Sequence, residues 1–180
     1  MELPFLSDED FFENCPPQTL CSICGSNEIR PFMLVGDKYY WTCNVCKARI
    51  LSCKHWLSKE EEFKYYQTHQ NISSDPAYQE FAAQLALPIL DKLVPNSSGL
   101  DFGCGPDSAL SAILRQHGHN MTLYDPFFFP AKKSLKKTYD FIVCSEAAEH
   151  FHQPAKEFKK FNSLLNENGW LGIMTNFQTE

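Results

Sequence analysis

The 180 residues leave room for one full domain and a small satellite, and a hydrophobic content of 43% that includes 15 Phe is enough for a real core. A net charge of −6 argues against a protein that coats nucleic acid through bulk electrostatics, which leaves a local basic patch as the route to such a partner. No apolar run approaches the ~20 residues that span a bilayer, and the acidic start (Glu2, Asp8, Glu9, Asp10, Glu13) lacks the character of a signal peptide. Cytoplasm is the expected compartment, where eight cysteines point to bound metal before disulfides.

Residues 1–19 read as an acidic, aromatic-bearing arm that ends in Cys15-Pro16-Pro17. Residues 20–57 read as a separate unit. Cys21-x2-Cys24 and Cys43-x2-Cys46 are separated by 18 residues, the spacing of a four-cysteine zinc ribbon. Each Cys-x-x-Cys turn aims two thiolates at one ion, and two such turns close a tetrahedron. Gly25 permits the first tight turn, and the Phe, Val, Tyr and Trp between Ile29 and Trp41 suit short strands. So small a unit cannot stabilise itself by burial, whereas zinc binding supplies roughly 10–16 kcal/mol. A closed four-thiolate site has no free coordination position, so the zinc is expected to be structural. Cys53 and His55 are nearby competitors, but their spacing breaks the symmetry. The ribbon carries too little net positive charge to claim RNA as its partner, and docking onto the larger domain is an equal expectation.

Residues 58–97 read as a helical linker or lid. Ser58 and Glu61 form a capping box ahead of Phe63, Tyr65 and Tyr66. Asp75-Pro76 supplies an N-cap and a first-turn proline before Tyr78, Phe81, Leu85, Ile89 and Leu93, with Pro88 expected to kink or split that helix. Tyr65, Tyr66, His69 and Tyr78 are expected to pack, with contact to a ligand as the lesser alternative.

Residues 98–180 read as the main domain. A short strand, Leu100 to Phe102, runs into Gly103-Cys104-Gly105, and a helix is expected from Asp107 to His117 with Leu110, Ile113 and Leu114 inward and Gly118 at its C-cap. Two glycines at a strand-to-helix junction let backbone approach a ligand where a side chain would block it. Asp101, ahead of them, suits a cation, and Ser108 stands where a dinucleotide site wants its third small residue, so a nicotinamide-binding protein is disfavoured. The next strand, Met121 to Tyr124, ends in Asp125, 20 residues after Gly105, where a carboxylate can accept ribose hydroxyls. Pro126 and Phe127 are placed to pack on a base. Lys132, Lys133, Lys136 and Lys137 then fall within six residues, either a solvated turn or a patch that steers a phosphate-bearing substrate. Only 13 residues separate Asp125 from Tyr139, too few for a full helix and strand. Phe141 to Cys144 is a buried strand, and Ser145 to His150 leave its carboxyl end, where ligands sit in such sheets. A helix from about Pro154 to Leu165 and a strand from Trp170 to Thr175, joined through Asn168-Gly169, complete the pattern.

The acidic residue before Gly-x-Gly, the Tyr139-Asp140 strand, Glu146-x-x-Glu149-His150 and Asn168-Gly169 before a strand together resemble class I S-adenosylmethionine-dependent methyltransferases over residues 99–175. The resemblance implies an α/β fold with a Rossmann-like core, abbreviated and without its C-terminal strands, behind the N-terminal ribbon. It implies S-adenosylmethionine as cofactor, held by Asp101, Gly103, Cys104, Gly105, Asp125, Pro126 and Ser145. Asp107 departs from the family's third glycine, and the family usually adds two further strands, so a partial chain or an inactive remnant is one expectation. Glu146, Glu149 and His150 share one face if they begin a helical turn. Two oxygen ligands and one nitrogen suit magnesium or manganese, as in metal-dependent O-methyltransferases acting on quinones or RNA 3′ ends. A general base and a structural role remain the alternatives, with His152 a weaker candidate. The expected activity is O-methylation of a small molecule or an RNA end. The alternative is a non-catalytic module, ribbon plus degenerate fold, that recognises a protein or nucleic acid.

Overall fold

The computed structural model describes residues 11, 13, 15–68 and 72–175; the acidic leader before Phe11, and His69, lie outside them. The chain divides into two compact units, residues 1–62 with 152–156, and residues 63–151 with 157–180. No helix among the described residues is long and apolar enough to cross a membrane.

The first unit is an antiparallel sheet of β1 (Ile29–Val35), β2 (Lys38–Cys43) and β3 (Arg49–Leu51), in that order. Val35 pairs with Lys38, so Gly36 and Asp37 alone make the hairpin turn. Its core gathers Trp41, Cys43, Cys21 and Ile50 with Phe11 and Cys15 from the arm. Phe11 meets the rings of Tyr39 and Trp41 edge-on at 5.0 and 5.2 Å. The end of the arm is thus core, because three short strands cannot by themselves enclose a tryptophan.

The second unit is built on four parallel strands in the order β5-β4-β6-β7, where β4 is Ser98–Phe102, β5 Asn120–Tyr124, β6 Tyr139–Ser145 and β7 Leu165–Met174. Alternation along β6 sends Phe141 and Val143 to one face and Ile142 and Cys144 to the other. On the first face they meet Ala82, Leu85, Ala86 and Ile89 of α2 (Pro76–Leu90) and Ala109, Leu110 and Leu114 of α3 (Ala109–Gln116). On the second they meet Phe161 and Leu164 of α4 (Pro154–Leu164), together with Leu100 and Phe102. Helices on both faces of a parallel sheet make this the expected α/β architecture. No strand lies between β5 and β6; a short 3-10 turn, Lys132–Leu135, replaces it.

Local signals were accurate where they were covalently close. In α1 (Lys59–Gln67), Ser58 Oγ accepts from Glu61 N at 3.3 Å and Glu61 Oε2 from Ser58 N at 2.8 Å, a closed capping box. Asp75 caps α2 by accepting from Tyr78 N at 2.9 Å. Two expectations need correction. The helix α2 is not split at Pro88 but runs on through it to Leu90, although proline has no N–H to donate to Gln84 O. The helix α3 is capped by Ser108, whose Oγ accepts from Ser111 N at 3.0 Å; Asp107 points elsewhere and accepts from Ser73 N at 2.7 Å.

Candidate functional site

Where β4 ends, Gly103 and Gly105 adopt φ of +76° and +64°, a region that costs an L side chain energy. The loop is pinned from behind by Tyr124 O, which accepts from Gly103 N at 2.8 Å and Cys104 N at 3.3 Å. The glycines serve different ends. A Cβ on Gly103 would lie 2.6 Å from that of Ala147, so this glycine permits close packing against the segment after β6. A Cβ on Gly105 would meet nothing within 4 Å, so this glycine leaves an open approach to the backbone. Cys104, between them, is buried, which pushes its thiol up and keeps it protonated.

Period-2 alternation in β4 turns Asp101 toward α3. It is 2% exposed, and its Oδ2 accepts from Ser108 Oγ at 2.6 Å and Ser111 Oγ at 2.7 Å. Burial raises its pKa and the two hydroxyls oppose that rise. Expected to face a cation, the carboxylate in fact ties the strand to the first turn of the helix behind the loop. Asp125 closes the other side. Its Oδ2 accepts from Gly105 N at 3.1 Å, and its Oδ1 from Phe127 N at 2.8 Å and Phe128 N at 3.0 Å. Pro126 is exposed on this turn, whereas Phe127 stacks on Phe63 of α1 at 5.7 Å and lies 5.8 Å from Tyr66. Tyr78 packs, as expected, against the core on the first face of the sheet. Burial, and then the charges of Asp101 and Asp107, push its phenol up to about 12, so it stays a neutral donor beside the loop. Ser108 and Ser111 were not singled out as partners of Asp101; serines in the first turn after a glycine loop were the available signal.

Ser145 ends β6, and Glu146 follows with φ +50°, its N–H donating to Met174 O at 2.8 Å. Only Ala148–His150 then form a 3-10 turn. No single helical turn spans 146–150, so the shared face expected of Glu146, Glu149 and His150 is corrected: the left-handed residue interrupts it. Burial raises the carboxyl pKa of both Glu146 and Glu149; at Glu146 the charge of Glu149 adds to the rise and that of His150 opposes it. The His150 ring meets Tyr66 edge-on at 5.9 Å. Among the described residues the three do not converge as a metal-ligand group. His152 belongs to the first unit, stacked on Trp56 at 4.5 Å with Nε2 3.1 Å from Glu62 Oε1.

Cys21, Cys24, Cys43 and Cys46 do converge, with all four Sγ atoms within 4.8 Å of one another. The pairs Cys21–Cys46 and Cys24–Cys43 are 3.6 Å apart, far beyond a disulfide and close to the roughly 3.8 Å edge of a tetrahedron with 2.3 Å zinc–sulfur bonds. Both knuckles turn alike: Gly25 N donates to Cys21 O with φ +74°, and Lys47 N to Cys43 O with φ +62°. The backbone N–H of Cys46 holds the Cys43 thiol down to about 7. His55 is ruled out as a competitor because its Nε2 accepts from Tyr39 N at 3.1 Å. Cys53 stays outside the cluster. This donor set fits a structural zinc.

Residues 75–179 match the family model of a methyltransferase domain. No curated protein matches the chain. One similar solved structure is a SAM-dependent methyltransferase from Thermotoga maritima, described as a possible histamine N-methyltransferase. It shares 15% identity and a TM-score of 0.31 over 54% of this chain, and this chain spans about half of its length, 53%.

Proposed function

The chain belongs to the methyltransferase-domain family, and on that premise we propose that it is an S-adenosylmethionine-dependent methyltransferase whose cofactor is held at the loop Gly103-Cys104-Gly105. The observation that carries this is Gly105, left-handed, bonded to Asp125, and facing open space where a side chain would stand. That is a backbone cradle for a nucleoside-bearing ligand.

The cofactor, when bound, supplies an electrophilic methyl group on a sulfonium. The chain supplies position. Asp125 has about four acceptor sites and spends three on backbone N–H groups, which leaves one for a ribose hydroxyl. Pro126 and Phe127, next along the turn, would pack on the base, and Ser145 ends the neighbouring strand. Asp101 acts through Ser108 and Ser111, fixing the helix that backs the loop. Tyr78 offers a neutral hydroxyl beside it. On the acceptor side, Glu146 and Glu149 have raised pKa values, which brings a carboxylate nearer the strength a general base needs at neutral pH. His150 is the neighbouring alternative. These donors do not converge for magnesium or manganese, so no step is assigned to a divalent ion. The acceptor favoured is an oxygen, on a small molecule or an RNA end, and the four cysteines hold zinc for structure.

Calorimetry of the full chain with S-adenosylhomocysteine tests the reading. Saturable binding is expected, and Gly105→Ala should weaken it at least about tenfold, since a methyl would both strain the loop and block the approach. A wild-type chain that takes up no S-adenosylhomocysteine would remove the proposal.

A further inference from the structure

A second concave site lies away from the glycine loop, at the opposite end of the sheet. A cavity of about 300 Å³ is bordered by Ser98, Arg115, His119, Asn120, Thr122 and Lys137. Ser98 and Asn120 are the first residues of β4 and β5 and pair with each other, whereas the loop leaves Phe102, four residues on. Thr122, another wall residue, pairs with Leu100, so at about 3.3 Å per residue the near edge of the cavity is roughly 7 Å from Phe102 along the strand.

The charge here opposes that of the molecule. Between Arg115 and Lys137 five cations stand against one carboxylate, Asp125, in a chain of net charge −6. The hydrogen bonds of the two cations on the cavity go to neutral oxygens: Arg115 Nη2 donates to Met121 O at 3.2 Å, and Lys137 Nζ to Thr122 Oγ1 at 3.1 Å. Neither bond neutralises the charge. Asp140, bonded to the wall residue Ser98, is already taken by the N–H and hydroxyl of Ser98 and by Asn166, and Asp101, whose charge Arg115 feels, is buried and held by two serine hydroxyls. His119 is 7% exposed and its Nδ1 has no hydrogen-bond partner. Lys132, Lys133 and Lys136 are exposed on the adjoining turn, beside β5, the outer strand of the sheet. The lysines therefore occupy the edge that a third strand would otherwise cover.

We propose that this cavity and the lysine turn form a phosphate-binding track for single-stranded RNA. Arginine and lysine beside serine, threonine and asparagine is the set of groups that contacts phosphate and sugar. An open polar depression continued by a row of cations fits a linear polyanion whose phosphates repeat along it. The proposal deepens the proposed function by naming the acceptor class, and its binding test does not depend on methyl transfer.

The test is fluorescence anisotropy of a labelled single-stranded RNA with the full chain across a salt series, with inorganic phosphate and adenosine monophosphate as competitors. Expected is binding that weakens with salt. In the Arg115→Gln, Lys137→Gln double variant the slope of log K against log salt should shrink by about 1.4, about 0.7 for each lost contact. Lys132→Gln, Lys133→Gln, Lys136→Gln, all on an exposed turn where folding is not at stake, should shrink it by about 2. Both variants should keep the wild-type affinity for S-adenosylhomocysteine, which separates failure here from failure of the cofactor reading. RNA binding that is absent, or unchanged in both variants, overturns the proposal. Monophosphates that compete as well as RNA, phosphate for phosphate, would assign the cavity to a free phosphate ligand and overturn the RNA assignment.

Discussion

Asp125 and Asp101 are both carboxylates at strand ends, yet their surroundings give them different work. Asp125 gathers three backbone N–H groups and so holds the glycine loop to the turn after β5. Asp125→Ala should therefore cost about 2 kcal/mol in stability and weaken S-adenosylhomocysteine binding at least about tenfold in calorimetry. Unchanged affinity would contradict its role at the ribose. Asp101 and Asp140 separate by pH. Burial raises the pKa of Asp101 above its ordinary 3.8, so the native state keeps the proton longer than the unfolded chain does. Its contribution is full below that value and is lost as pH rises through the raised one. Asp140 runs the other way. The Ser98 N–H and hydroxyl, with Asn166, hold its pKa down, so its contribution is present above 3.8 and is lost as pH falls through the depressed value. Thermal melts across about pH 3 to 7 should show Asp140→Asn less stable than wild type by about 1 kcal/mol near neutrality, discounted for its exposure, with the gap closing in acid. Asp101→Asn should instead flatten the loss of stability on the way up. A neutral-pH deficit at Asp140→Asn that persists in acid would refute the assignment.

At the scale of elements, what could be read in the sequence was whatever a few neighbouring residues decide. The two Cys-x-x-Cys knuckles, the Ser58–Glu61 box and the Asp75-Pro76 cap each close within five residues, and each forms as expected. Glu146 could not be read this way. Nothing in Ser145-Glu146-Ala147 asks for φ +50°; that conformation goes with its N–H reaching Met174 O on the neighbouring strand, a partner 28 positions away. The burial of Phe11 was hidden for the same reason, because the arm has no period and its partners are Tyr39 and Trp41. The helix expected from Asp107 begins at Ala109, with Ser108 both capping it and donating to Asp101 across to the strand. The ribbon gives the clearest test at this scale. Cys43 is fully buried and 3.6 Å from Cys24, so Cys43→Ser should release the zinc and unfold the sheet of β1 to β3. Retention of one bound zinc per chain, by elemental analysis, would count against it.

Across the whole molecule the same division between local and distant causes sets how each unit is held. The strand order β5-β4-β6-β7 follows from an α/β alternation that the sequence displays, and the absent third strand follows from the short span before Tyr139. What alternation cannot reveal is the relative strength of the two units. The parallel sheet carries a buried cluster on each face, whereas among the described residues the ribbon has one cluster of six, of which Cys21 and Cys43 belong to the four-thiol group that could hold an ion. Burial suffices for the first, and an ion on the four thiolates would complete the second. A strong chelator should therefore melt the ribbon and leave the sheet with its helices folded. Trp41 supplies a local reporter, at 2% exposed against 39% for Trp56 and 45% for Trp170. On chelation its fluorescence should shift to the red and return when zinc is restored, while helical circular dichroism and S-adenosylhomocysteine affinity hold steady. A chelated chain whose tryptophan emission does not move would mean that Phe11, Trp41 and Ile50 hold the ribbon without an ion, and that the four thiols are a cluster without structural work. Simultaneous loss of helical signal and cofactor binding would instead mean that the two units do not fold on separate terms.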